Sequence, residues 1–246
     1  LKEALDFFAD SLNVDLDFRL VLLKEEHWKE LTDAPYALPH VRSTDTIAIA
    51  FLPLEHSCVV SDLMLSLKDR ISTDLKDKVA ETGLTYQEFS GKMVDLIGFH
   101  EIGHPYANTY GIGSPGLWFN EFVANYFLYA FLQPNYPEDA HIWDLSTKII
   151  LNDYDPKYRT LEDFEKYYSG VGPDNYGWYQ ANFESKANDL FEERGFSFIR
   201  DLKEIFPAGE GKLLNEVIIN RLEKIAPGFK EWAKVFKEKE ESKDTR

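Results

Sequence analysis

The chain of 246 residues contains a single cysteine, Cys58. A lone cysteine cannot form an internal disulfide or supply a thiolate metal cluster. Long hydrophobic runs are also absent. The most apolar stretch, 122–132, contains Asn125 and is shorter than the ~18–20 residues that a membrane span requires. We therefore predict neither an internal disulfide framework nor a transmembrane segment.

Basic residues are scarce as well. Lys and Arg number 27 against 43 Asp and Glu, which gives a formal net charge of −16. Nucleic-acid binding needs cationic side chains against phosphates, so we expect no nucleic-acid partner and no docking on anionic lipid. The chain begins at Leu1 and shows no signal-peptide pattern. This is typical of a processed mature chain and leaves an exported or periplasmic location open.

Two segments near the N-terminus have the patterns of β-strands. Residues 14–23 alternate apolar and polar side chains before becoming apolar throughout, and 46–52 is rich in β-forming residues. The polar run 42–45 is predicted to belong to the connection between them. Farther along, apolar residues recur every four positions over 61–79, which predicts one amphipathic helix.

The next helix is predicted to begin at a capping box formed by Thr85 and Glu88. Its apolar face, extended along the helix, includes His100 and His104. Pro105 disfavours helical geometry in the residue before it, so we expect the helix to end or bend near His104.

A second, nearly all-apolar helix is predicted to follow a glycine-rich loop. Ser114 and Pro115 fit its N-cap and first position, and it should run to about Leu132, before Pro134. Its all-round apolar character predicts burial. The rest of the chain has helical patterns over 176–190, 198–206, 213–225 and 229–236, with Gly195 as a helix stop. The charge run at 237–246 predicts a solvated tail.

The residues from His100 to His104 form an H-E-x-x-H motif on the first of these two helices. Positions four apart share one helix face, so both imidazoles can reach one Zn²⁺. Glu101 is rotated by roughly 100° from His100, beside the metal, where it can take a proton from water. The alternative is a buried histidine pair in an ordinary core.

A catalytic zinc takes a third protein ligand and keeps one position open. The metzincin pattern fails, because Ala107 and Tyr110 stand where its glycine and third histidine would be. Glu121, which follows His104 after a spacer of 16 residues, is the candidate, because it lies among apolar neighbours with no positive charge and needs a cation. The alternative is a carboxylate at the surface of that helix.

The segment 99–127 resembles the active-site segment of gluzincin zinc metallopeptidases, and most of all the aminopeptidase N type. In that family the H-E-x-x-H helix is followed by a W-x-N-E-x-x-A helix, a pattern that Trp118, Asn120, Glu121 and Ala124 match. The resemblance covers about an eighth of the chain.

The resemblance implies specific roles for the residues of this segment. His100, His104 and Glu121 would bind one Zn²⁺, and Glu101 would be the general base. A polar residue four positions after the ligand glutamate orients a ligand histidine in such enzymes, and here Asn125 holds that position.

Such a peptidase also needs a group that stabilises the oxyanion. The element beginning near Asn175 resembles the family's tyrosine-bearing helix, which makes Tyr179 the first candidate, Tyr176 the second and His141 a weaker third. Because both tyrosines also fall on an apolar face, core packing is an equally good interpretation.

We therefore expect an α+β, zincin-like fold. An N-terminal α/β lobe (1–110) would hold a small sheet and the H-E-x-x-H helix, and a mainly helical lobe (111–236) would supply the third ligand. The expected activity is zinc-dependent hydrolysis of peptide bonds in a peptide or protein substrate. The alternatives are a non-catalytic zincin-like protein that binds a peptide or partner around a bracing zinc, and a zinc hydrolase that acts on a different bond.

Overall fold

A computed structural model describes residues 1–34, 38–44, 47–55, 58–152 and 154–237. The described chain is α+β, with twelve α-helices and one three-stranded sheet, which confirms the α+β part of the predicted fold, while its zincin-like character stays a prediction. The first elements are α1 (Lys2–Leu12), β1 (Asp17–Leu23), α2 (Glu25–Leu31), β2 (His40–Ser43), β3 (Ile47–Pro53), α3 (Val59–Leu67) and α4 (Thr73–Glu81). The helices that follow are α5 (Tyr86–Tyr110), α6 (Leu117–Asn135), α7 (Pro137–Asn152), α8 (Leu161–Tyr167), α9 (Pro173–Arg194), α10 (Ser197–Ile205), α11 (Asn215–Ile225) and α12 (Phe229–Trp232).

The sheet has the order β1–β3–β2. β1 runs parallel to β3 with Asp17 opposite Ile47, and β2 runs antiparallel to β3 with His40 opposite Phe51. β2 and β3 pack against α5, so the sheet supports the helix that carries the histidine motif. Both predicted strands are present, apart from Thr46, which lies outside the described residues. β2 was not predicted, because its second half, 42–43, belongs to the polar run assigned to a connection.

The helix predicted over 61–79 is in fact two helices, α3 and α4. Ser72 starts the second, and its side chain accepts a hydrogen bond from the backbone N–H of Leu75 at 3.3 Å. A serine N-cap satisfies a free N–H at the beginning of a helix. The four-residue spacing of apolar residues continues across the break, because Leu67, Ile71, Leu75 and Val79 are all buried. The spacing therefore concealed the break between the two helices.

α5 continues through Pro105 and is capped by Gly111, so of the two predicted outcomes near His104, an end or a bend, the end is wrong. Proline removes one backbone hydrogen bond, but tertiary contacts hold the turn beyond it. The Tyr106 hydroxyl donates to the backbone oxygen of Leu5 at 2.9 Å, and Tyr106 and Ala107 are buried. Gly111 closes the helix in the left-handed conformation with φ of 99°.

α6 begins two positions later than predicted, with Gly116 as its N-cap. Ser114 does not cap the helix, because its hydroxyl accepts a hydrogen bond from the Asn120 side chain at 2.6 Å. The Glu165 carboxylate instead binds the free N–H of Trp118 at 3.1 Å. The predicted burial is confirmed, and the helix includes Pro134 in its last turn.

α9 to α12 agree with the predicted helical segments, including the stop of α9 at Gly195, whereas α7 and α8 were not among those segments. Aromatic side chains of α6, α8 and α9 dominate the main core. Along the described chain, no helix combines the length and apolar character needed to cross a bilayer, as predicted. The division into two lobes at residue 110 stays a prediction, and 238–246 of the predicted tail lies outside the described residues.

Candidate metal centre

The crossing of α5 and α6 brings together the three predicted metal ligands, His100, His104 and Glu121. One ligand atom from each, the two Nε2 atoms and a carboxylate oxygen, all lie within 4.8 Å of one another. The helices can approach because Gly103 faces Ala124: a Cβ added to Gly103 would lie 2.8 Å from the Ala124 Cα. This close contact places a carboxylate of one helix over the imidazole pair of the other.

The distances between these atoms fit a single tetrahedral ion. Nε2 of His100 lies 3.2 Å from Nε2 of His104 and 3.2 Å from Oε2 of Glu121. His104 Nε2 lies 3.8 Å from the same carboxylate oxygen. Ligands bound to Zn²⁺ at about 2.0–2.1 Å in tetrahedral geometry are about 3.3 Å apart. The three residues could therefore hold a metal ion with little movement, and two imidazoles with a carboxylate are a donor set that zinc accepts.

The charges in the group also favour a cation. Within the described part of the chain, the ion pairs of Glu121 involve only His100 and His104. Burial raises the pKa of Glu121, but the two histidines outweigh it and lower that pKa to about 2. The carboxylate therefore stays ionised in a buried position, where its charge requires a positive partner, either a protonated His100 or a bound cation.

The two histidines differ in charge and in access to solvent. Burial lowers the pKa of His100, but the hydrogen bond and charge of Glu121 outweigh it and raise that pKa to about 9. Burial lowers the pKa of His104 to about 4. The His104 side chain is 24% exposed, against 7% for His100 and 4% for Glu121. The group is thus open to solvent on the His104 side.

Glu101 is buried beside the group without belonging to it. Burial raises the pKa of its carboxyl to about 7, and the charges of His100 and Glu121 also act on it. The backbone N–H of Val41, in the edge strand β2, donates a hydrogen bond to the same carboxyl. The sheet edge therefore orients Glu101, and its pKa lies near the pH at which a group can both take and give a proton.

Asn125 lies where the resemblance implied, with its Oδ1 2.9 Å from Nδ1 of His100. Its Nδ2 donates to Oε1 of Gln180, on α9, at 3.0 Å. Asn125 is fully buried, so neither contact competes with water. The ring of His100 is consequently held at Nδ1, while its Nε2 faces Glu121.

Tyr168, which the sequence analysis did not single out, donates its hydroxyl to Oε1 of Glu121 at 2.6 Å. The residue follows α8 and has φ of 48° and ψ of −122°, a backbone conformation that residues other than glycine rarely adopt. Such conformations cost of order 1–3 kcal/mol and cluster at functional sites. No spacing relates Tyr168 to the ligand helices, so the sequence carried no signal for it beyond the residue type.

Gln180 was also missed, although it touches the group directly. Its Nε2 donates to Oε2 of Glu121 at 2.7 Å and to the Tyr176 hydroxyl at 2.9 Å. Tyr176, the second oxyanion candidate, is thus one hydrogen bond removed from Glu121, and its ring stacks on Phe164.

The structure does not bring the other two oxyanion candidates to the group. The hydroxyl of Tyr179, the first candidate, donates to the backbone oxygen of Thr160 at 2.7 Å, and its ring packs between Phe164 and Phe236. It has the core role that its apolar helix face equally indicated. His141 is exposed on α7. We no longer assign either residue to the site.

Comparisons with protein-family models, with curated proteins and with solved structures found no match to this chain. The functional conclusion therefore rests on the chain's own residues.

Proposed function

We propose that this chain is a zinc-dependent metallopeptidase with a zincin-like arrangement of sheet, H-E-x-x-H helix and third-ligand helix. The convergence of His100, His104 and Glu121 at ligand distances, with the base Glu101 alongside, is the observation that carries this proposal. A structural zinc site is closed by four protein ligands, whereas a catalytic site has three and an open position. Three ligands are present among the described residues, and the group is open to solvent on the His104 side.

When bound, Zn²⁺ would supply a Lewis acid that polarises a substrate carbonyl and acidifies water at the site. Glu101 then has the chemical work of moving the proton. Its carboxylate takes the proton from water while the water oxygen forms a bond with the carbonyl carbon. As the C–N bond breaks, the same carboxyl gives the proton to the departing amine nitrogen. A pKa near 7 suits both transfers.

Tyr168 is the group that we assign to the oxyanion. Its hydroxyl donates to the carboxylate of Glu121, and burial together with the charges of Glu121 and Glu101 raises its pKa. It therefore stays protonated and able to donate a hydrogen bond. A donor aimed at the place where negative charge develops is worth about 10²–10³ in rate.

The test combines metal analysis with cleavage. Protein purified without chelator should contain one zinc per chain and cleave members of a peptide library. Glu101→Gln should keep the zinc, because Glu101 is not a ligand, and lose turnover. Normal cleavage by Glu101→Gln would contradict the mechanism. Zinc without any peptide cleavage would instead favour the bracing-zinc protein, or a hydrolase for another bond if ester or amide substrates are turned over.

A further inference from the structure

Gln180 lies on a third helix, α9, and contacts both the candidate ligand Glu121 and Asn125, the residue that orients His100. One end of its amide donates to Glu121 Oε2 at 2.7 Å, the carboxylate oxygen that faces both histidines. The other end accepts a hydrogen bond at 3.0 Å from Asn125, which in turn contacts His100. Two ligands on different helices are therefore joined by two side-chain amides.

The chemistry of the groups fixes the direction of each hydrogen bond. An ionised carboxylate only accepts, so the amide nitrogen of Gln180 must face Glu121 and its oxygen must face Asn125. Asn125 then has to present its nitrogen to Gln180 and its oxygen to His100. The contact at 2.9 Å is therefore an Nδ1–H donating to Asn125.

This direction decides which nitrogen of His100 can bind a cation. Without a metal, the raised pKa of His100 keeps a second proton on Nε2, which faces Glu121. A cation would replace that proton, and the neutral imidazole that keeps its proton on Nδ1 then has its lone pair on Nε2. Nε2 is the atom that lies 3.2 Å from Oε2 of Glu121. The carboxylate at one end of the chain of hydrogen bonds thus sets the tautomer of the imidazole at the other end.

The same contacts fix the carboxylate of Glu121. Gln180 holds Oε2, and Tyr168 holds Oε1 at 2.6 Å. With both oxygens occupied from outside the ligand helices, the carboxylate cannot rotate without breaking a hydrogen bond. Groups that orient metal ligands in this way typically account for 10–100-fold in metal affinity.

We propose that Gln180 is a positioning residue for the metal centre, which orients Glu121 directly and sets the His100 tautomer through Asn125. The inference rests on the proposed metal site and goes beyond the roles that the family resemblance implied. It concerns metal binding itself, so it can be tested without any assay of cleavage.

The main experiment is a double-variant cycle read as Zn²⁺ affinity, measured by competition with a chromophoric chelator. Gln180→Met keeps the length of the side chain and removes the amide, and we expect 10–100-fold weaker binding. Asn125→Leu should have an effect of the same order. Because the two amides act in one chain, the double variant should lose much less than the product of the two single effects. Effects that multiply would show independent contributions and overturn the linkage.

Gln180→Glu tests donation separately from shape. Its carboxylate has nearly the same size, but it cannot donate to Glu121 when ionised, so zinc binding should be at least as weak as in Gln180→Met. The matched control is Gln133→Met. Gln133 is a half-buried glutamine on α6 whose amide donates to Asn188 on α9, at the same helix interface but away from the ligands. Its variant should bind zinc like the wild type.

The tautomer provides a second readout. In the zinc-loaded wild type, nitrogen NMR of the imidazoles should show His100 with a slowly exchanging proton on Nδ1, and Gln180→Met should weaken that protection. If wild-type protein binds no zinc, the proposed metal site fails. If wild type binds zinc and Gln180→Met binds it equally tightly with an unchanged His100 signal, the role of Gln180 alone is overturned.

Discussion

Gly103 packs against the backbone of Ala124: a Cβ built on Gly103 would lie 2.8 Å from both the Cα and the carbonyl oxygen of Ala124. Only the absence of a side chain at Gly103 allows this distance. Gly103 directly precedes His104, and Ala124 is one helical turn after Glu121. The contact therefore sets how far the carboxylate stands from the imidazole pair.

Gly103→Ala should separate α5 from α6 and weaken zinc binding by at least tenfold. The added Cβ would meet backbone atoms of Ala124, which cannot move aside as the end of a flexible side chain can. Overpacking typically costs about 1–3 kcal/mol, whereas replacing glycine by alanine in a helix gains only about 1 kcal/mol. Chemical unfolding and zinc titration measure the two effects. Gly98→Ala is the control on the same helix, since its added Cβ meets the side-chain ends of Leu1 and Leu52. Equal zinc affinity in the two variants would show that the helix contact does not set the site.

Tyr168→Phe should lower kcat by about 10²–10³ at saturating zinc, and the lost hydrogen bond to Glu121 should also weaken zinc binding by about 10–100-fold. The variant removes the hydroxyl that lies at Glu121 Oε1 and keeps the ring in place. Steady-state kinetics and metal titration separate the two effects. Tyr179→Phe is the comparison: it loses a hydrogen bond to Thr160 and should cost about 1 kcal/mol of stability without a fall in kcat. The reverse pattern would return Tyr179 to the site.

The sequence was sufficient for the part of the site that depends on local spacing. His100 and His104 are one helical turn apart, and a charge with no neighbouring cation singled out Glu121. Tyr168 and Gln180 come from other elements and are brought to Glu121 only by tertiary packing. A tyrosine among thirteen has no periodic relation to a ligand that would reveal it.

The errors in the fold have a similar origin. Pro105 correctly signals a lost helical hydrogen bond, but the buried residues after it hold the helix together, and that support is not visible in local sequence. Ser72 did carry a local signal, a serine N-cap, but the four-residue apolar spacing that runs through both α3 and α4 concealed it. Local signals predicted where elements exist better than where they end.

Added zinc should raise the melting temperature of the protein. A ligand at 100 times its Kd stabilises the folded state by about 2.7 kcal/mol, which corresponds to roughly 5–10 °C for a chain of this size. His104→Ala should abolish the shift, since it removes one of three ligands. His141→Ala, which changes an exposed histidine, should retain it. A shift of equal size in both variants would place the zinc elsewhere.

Stability should fall between about pH 4.5 and pH 7 because of Glu184. This carboxyl on α9 is buried, and the Thr147 hydroxyl donates to it at 2.6 Å. Burial raises its pKa from 4.5 to about 7. The folded protein therefore holds a proton that the unfolded chain releases over this range, so the free energy of unfolding decreases as the pH rises and levels off above pH 7. The shift corresponds to about 3 kcal/mol.

Glu184→Gln should remove the contribution of Glu184 to this pH dependence, because the amide is neutral at every pH and its oxygen still accepts from Thr147. The contribution of Glu101, whose pKa burial also raises to about 7, should remain. Urea unfolding at pH 5 and pH 8 gives the comparison: the variant should match wild type at pH 5 and exceed it by up to about 3 kcal/mol at pH 8. Glu192→Gln, at an exposed position on the same helix, should stay within about 0.5 kcal/mol of wild type at both pH values. If Glu184→Gln behaves like Glu192→Gln, the Glu184 carboxyl is ionised in the folded protein. The positive charge of His100, which lowers the pKa of Glu184, would then outweigh the effect of burial.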